Sequence, residues 1–163
     1  MLIWIRRIIS IGLPLFISAV FLDSLRFKFT NAPETQEIFG RLDAWAGSLG
    51  AAGLFAQTGL FSQYVIGTAE LIASACLLIS FLPMFRRLRA LGAVIGLAVM
   101  TGAISFHLFT PLGIDPNNDG GGLFMAAVGV WFGCATLLIL NRAQLKALVG
   151  GMVTTLIAKS NAS

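Results

Sequence analysis

Two ionisable side chains interrupt the apolar runs of this chain, and they are the residues whose types invite chemistry. Glu70 lies six residues into the run 64–82, about 9 Å from its start at 1.5 Å per residue. His107 lies three residues before Thr110, near the end of the run 90–110. Asp23, Arg26 and Lys28 close a first apolar run, and Asp115 and Asp119 sit in the loop before the last one. An ionisable group inside a membrane span costs at least a few kcal/mol on insertion scales, so it faces the interior and finds a partner. Glu70 has three candidate partners in Arg26, Lys28 and protonated His107. Such a constellation either binds a polar head group or relays a proton, or it is a buried clamp that sets helix register. Asp119 and Ser74 are secondary members of the same set; Ser74 shares a helix face with Glu70 and Gly67.

Other chemistries are poorly served. Met100 and His107 are seven residues apart on one helix face, and thioether plus imidazole suits copper. With one His in the chain and no Cys–Met cluster, that metal reading is weak, and a bis-histidine haem is excluded within one chain. The two cysteines, Cys76 and Cys134, fall inside apolar runs at similar depth with no CxxC, which reads as burial rather than a disulfide or zinc frame. No Ser-His-Asp set, P-loop or GxGxxG fingerprint stands out, so no autonomous catalytic or redox centre is evident.

The elements that must position these residues are membrane helices. The 163 residues are 57% hydrophobic and 11% charged, against about 25% charged in a soluble domain. The sequence predicts one all-α domain over 1–163, a transmembrane four-helix bundle with helices at about 8–26, 64–82, 90–110 and 121–140. Pro14 is placed to kink the first of these. Arg6 and Arg7 before an apolar run also fit the opening of a cleaved signal peptide, but no A-x-A-like site follows, so a retained helix is expected. An amphipathic helix starting at Asn31-Ala-Pro-Glu34, with Asn31 as cap and Ile38, Leu42 and Trp45 on one face, belongs at the outer surface. It opens an interfacial segment of about 33–60, in which the Gly- and Gln-bearing stretch 44–63 is not a fifth crossing. The apolar, Gly-broken stretch 143–158 is expected to extend the last helix or lie at the interface.

Charge sorts the two sides. Arg6, Arg7, Arg86, Arg87, Arg89, Arg142, Lys146 and Lys159 gather at one end, and Arg26, Lys28 and Arg41 at the other. The positive-inside rule then puts both termini in the cytoplasm and argues against a fifth crossing. The net charge of +4 is spent at helix ends rather than on a solvated basic face, which argues against nucleic acid as partner. Small residues at four-residue spacing, Gly92 with Gly96 and Gly129 with Gly133, the latter extended by Gly122 and Ala126, are expected to let the helices pack closely.

This pattern resembles the DoxX family of small bacterial four-helix membrane proteins. The likeness rests on a first helix ending Arg26-Phe27-Lys28-Phe29, a second opening Gly67-Thr68-Ala69-Glu70-Leu71, His107 near the outer end of the third, and a Gly-rich last helix. It covers roughly residues 8–140, and the outer segment 31–63 is longer than in the smallest members. The resemblance implies a membrane subunit linked to thiosulfate:quinone oxidoreduction, and it carries Glu70, His107 and Lys28 over as a polar site. Three functions compete on these terms. The first is a redox-associated subunit binding a quinone or similar head group at the outer side, with electrons supplied by a partner. The second is a non-enzymatic accessory or assembly protein, whose polar cluster is a clamp and whose partners are other subunits or further copies of itself. The third is a small-molecule transporter built as an oligomer.

Overall fold

The computed structural model of the protein describes residues 2–147 and 150. Lys159 and most of the stretch 143–158 lie outside the described residues. The elements are α1 (Leu2–Phe29), α2 (Pro33–Ser48), α3 (Gln63–Ile79), a 3-10 turn at Pro83–Phe85, α4 (Leu88–Phe109) and α5 (Gly122–Leu140). Among the described residues there is no strand.

α1 is longer than the apolar run that announced it. Its 28 residues span about 42 Å. Arg6 and Arg7 are good helix formers and do not end it, and Arg26 and Lys28 in its last turn suit the negative end of the helix dipole. Pro14 is accommodated inside the helix and fully buried. α3 is shorter than the expected 64–82. It stops at Ser80, and Leu82 is already extended because it precedes Pro83. The expected cap of α2 is corrected: Asn31 does not cap. Its φ is 54°, a left-handed turn position, and the residue preceding the helix is Ala32, which offers no side-chain cap. Pro33 starts the helix as expected.

α1, α3, α4 and α5 form a closed ring in which α1 packs on α3 and α5, α3 on α4, and α4 on α5. The main core is where the ring closes: Ile17 and Phe21 from α1, Leu77 from α3, Met100 from α4, and Val130 and Leu137 from α5. Gly92 lets the backbones of α3 and α4 meet, since a Cβ there would stand 2.8 Å from the carbonyl of Ala73. Gly96 instead makes room for side chains, Cys134 Sγ and the Phe21 ring, and Gly133 for Ile17. Gly122 does not extend this stripe as expected. It approaches the Asp119 carboxylate instead of another helix.

Large apolar side chains also cover the outside of the ring, among them Ile8, Ile11, Phe132 and Ile139. α1 from Trp4, α4 and α5 are long and apolar enough to cross a membrane, and α3 is a shorter apolar helix of 17 residues. The protein is thus an all-helical chain of membrane-bundle character. A second, smaller core closes one end. Leu42 and Ala46 of α2 pack with Phe55 and Leu112, and Ile38, Trp45 and Phe106 lie against them. Residues 49–62 form turns rather than a fifth helix. The Asp43 carboxylate accepts from the Phe55 backbone N–H at 3.0 Å and ties those turns to α2.

Candidate functional site

Glu70 is 2% exposed on the face of α3 that meets α1. Lys28, in the last turn of α1, brings its ammonium to 3.1 Å from Oε1 and 3.0 Å from Oε2. Lys28 Nζ also donates to Ser24 Oγ one turn back on α1. Gly67, one turn before Glu70, packs against the same joint at ordinary contact distance. A Cβ there would lie 3.4 Å from Lys28 Cδ and 3.5 Å from Leu25 Cδ2 and Phe29 Cζ. The Glu70 backbone carbonyl accepts from Ser74 Oγ at 2.9 Å, so Ser74 supports the helix and leaves the carboxylate to Lys28.

Gln63 completes the joint. It is buried, and its Nε2 donates to the Lys28 carbonyl and to Asn31 Oδ1, both at 2.9 Å. A helix C-terminus leaves its last carbonyls without partners, and here the first residue of α3 satisfies one of them for α1. Sequence reasoning missed both Gln63 and Ser24. Ser24 carried a signal, because it stands four residues before Lys28 on a helix. Gln63 carried little beyond being a polar residue at the start of an apolar run.

The remaining candidates do not join this pair. Arg26 binds Asp23 at 2.9 Å on the surface, the two side chains being 68% and 61% exposed. Arg26 also lies over the Phe27 ring, 4.7 Å from its centroid. His107 is buried at the end of α4, with Nδ1 2.6 Å from the Gly113 carbonyl and its ring edge-on to Phe124. A carbonyl only accepts, so Nδ1 carries the proton and donates. Of the three partners expected for Glu70, the structure chooses Lys28.

Asp119 does a different job, holding the start of α5 from two residues before its N-cap, Gly121. Its Oδ1 accepts from Gly121 and Gly122 backbone N–H groups at 3.0 and 3.1 Å, and Oδ2 accepts from Leu123 N–H at 2.8 Å. These bonds, the one from Leu123 foremost, hold its carboxyl below the usual aspartate value. Gly121 has a φ of 79°, a left-handed conformation that suits glycine and lets the chain turn over the carboxylate.

No family model, no curated protein and no solved structure matches this chain. The site therefore stands on its own chemistry. An ammonium has three N–H donors. Lys28 Nζ donates to Ser24 Oγ and to Glu70 Oε1, while Oε2 stands at ion-pair distance, 3.0 Å, and accepts no hydrogen bond among the described residues. The arrangement is self-neutralised, with one buried carboxylate oxygen left without a donor among the described residues. Met100 is packed in the main core, and among the described residues no group of three or more His, Cys, Asp and Glu side chains converges. Cys76 and Cys134 are both free thiols.

Proposed function

We propose that this chain is a non-catalytic accessory or assembly protein of a bacterial inner membrane. It crosses the bilayer four times, with both termini on the cytoplasmic side and α2 lying over the outer end. Its action is through helix contacts with other membrane subunits or further copies of itself. The observation that carries the reading is the Lys28–Glu70 pair, buried and matched in charge, which is what a clamp between α1 and α3 requires. Ridges and glycine grooves define where the helices meet in lipid, but an ion pair defines one register among several, because every other register leaves a charge unpaired. The test is co-purification of partners after chemical cross-linking in membranes. Glu70→Gln strands the Lys28 ammonium and should lose stability as any single break of a buried pair does, while the variant that folds should capture the same partners as the wild-type chain. Unchanged folding and partners combined with a lost physiological activity would sink the clamp reading.

The second reading keeps the likeness to DoxX proteins and treats the chain as a quinone-linked redox subunit. One observation favours it: with Nδ1 held by Gly113, His107 Nε2 has no hydrogen-bond partner among the described residues. In the neutral ring that atom is an acceptor, suited to the hydroxyl of a quinol. Extraction of lipid from the purified protein tests this reading directly, and a preparation with no quinone that also fails to bind one on titration removes it.

A further inference from the structure

The opposite end of the bundle carries a second constellation. Arg6 and Arg7 of α1, Arg86 at the turn between α3 and α4, Arg89 in the first turn of α4, and Asn141 and Gln144 beyond α5 line an open groove of about 670 Å³. Two of the arginines are tethered. Arg6 Nη2 donates to the Leu140 carbonyl at 3.4 Å. Arg89 donates through Nε to Ser80 Oγ at 3.1 Å and through Nη2 to the Ser80 carbonyl at 3.5 Å, and its guanidinium lies 5.6 Å from the Phe81 ring centroid. None of the four has a carboxylate partner among the described residues. The sequence supplies none nearby: there is no Asp or Glu before Asp23, between Glu70 and Asp115, or after Asp119.

Four guanidinium groups around one groove repel each other unless an anion sits among them. Guanidinium forks match phosphate oxygens two at a time, and a groove of this volume accepts a small polar head group. Its walls are not wholly polar: Ile11 and Leu140 share the lining, and Ile11 and the adjacent Ile8 are exposed on the outer face of α1. Trp4, also exposed, has the Arg7 guanidinium 5.8 Å from its ring centroid, an arrangement typical of the membrane–water interface. We propose that the groove binds the phosphate head group of an anionic phospholipid, with the acyl chains lying along Ile8 and Ile11. Basic pockets between helices on the cytoplasmic side hold such head groups. The proposal rests on the membrane-spanning reading of α1 and α5 and is independent of the role of Lys28 and Glu70.

Native mass spectrometry of the detergent-solubilised protein tests it, using phosphatidylglycerol and phosphatidylcholine with identical acyl chains. The wild-type chain should retain phosphatidylglycerol at least about tenfold more strongly, a difference of about 1.4 kcal/mol. Arg6→Gln/Arg89→Gln should reduce that retention to the phosphatidylcholine level, while Arg6→Lys/Arg89→Lys, which keeps charge but loses the fork, should fall between. Equal retention of both lipids by the wild-type chain overturns the proposal without recourse to any variant, as does a Gln variant that is folded by circular dichroism and binds like wild type. An excess of inorganic phosphate should leave the lipid bound. Full displacement by phosphate would instead make the ligand a soluble phosphate compound and overturn the lipid assignment.

Discussion

At Lys28 the balance between charge burial and pairing can be read from one side chain. Its ammonium and the Glu70 carboxylate are each removed from water, and each is compensated by the other. Removing one partner of a buried pair costs about 3–5 kcal/mol because it strands the remaining charge, whereas replacing both with apolar groups is often neutral. Lys28→Met should therefore destabilise the detergent-solubilised protein by about that amount, and Lys28→Met/Glu70→Leu should recover most of it, measured by unfolding in a double-mutant cycle. Near-additive losses would mean the two side chains do not act together. Asp119 gives a pH signature instead. Its folded carboxyl is held below the usual value by the Leu123 N–H and its neighbours, so its contribution is fully present above the unfolded aspartate value of about 3.9 and is lost as pH falls through the folded value. Asp119→Ala should cost about 0.5–2 kcal/mol at neutral pH, as the loss of capping bonds at a helix start does. It should also show a shallower decline of stability on acidification than the wild-type chain.

Between helices, the close approaches are unequal, and the glycines report this. A Cβ at Gly92 would meet the Ala73 carbonyl at 2.8 Å, which is backbone and yields only if α3 and α4 separate. A Cβ at Gly129 would lie at ordinary contact distance, 3.5 Å, from the rotatable ring of Phe16. Gly92→Ala should cost about 1–3 kcal/mol as overpacking. Gly129→Ala should be neutral or slightly stabilising through its higher helix propensity. Thermal unfolding of the two variants side by side checks this, and equal effects would show that the helices adjust as freely at one contact as at the other. α2 and the turns that follow it belong to a separate small core around Leu42, Phe55 and Leu112, so the cap can be weakened without touching the contacts among α1, α3, α4 and α5.

For the whole molecule the strongest organising feature is the separation of charge. Six arginines, Arg6, Arg7, Arg86, Arg87, Arg89 and Arg142, stand at one end of the bundle, while Lys28, Glu70, His107 and Asp119 stand in its other half or beyond. The proposed orientation follows from that asymmetry through the positive-inside rule. Cysteine labelling in intact cells tests it, since Cys76 and Cys134 are buried and leave little background. Ser48→Cys should react with a membrane-impermeant thiol reagent added outside, and Arg87→Cys should react only after the membrane is opened. The reverse pattern would invert the topology.

Hydropathy and residue spacing determined the helical class, the approximate positions of the four apolar helices, and an amphipathic helix after the first with Ile38, Leu42 and Trp45 on one face. These are local properties, because a run of apolar residues or a 3.6-residue period is legible without knowing what it packs against. Helix ends were less legible: α1 continues through Arg6, Arg7 and Lys28 because backbone hydrogen bonding is indifferent to where hydropathy falls. The partner of Glu70 was beyond reach. Arg26, Lys28 and His107 all had suitable charge and approximate depth, and the choice depended on the rotation of α1 about its axis. That rotation turns Lys28 inward and leaves Arg26 on the surface with Asp23. The same holds for Gln63, whose value lies in meeting the end of another helix, and for the arginine groove, which draws on segments more than a hundred residues apart. Which side chains share a space is a property of packing between helices, and only the tertiary structure decides it.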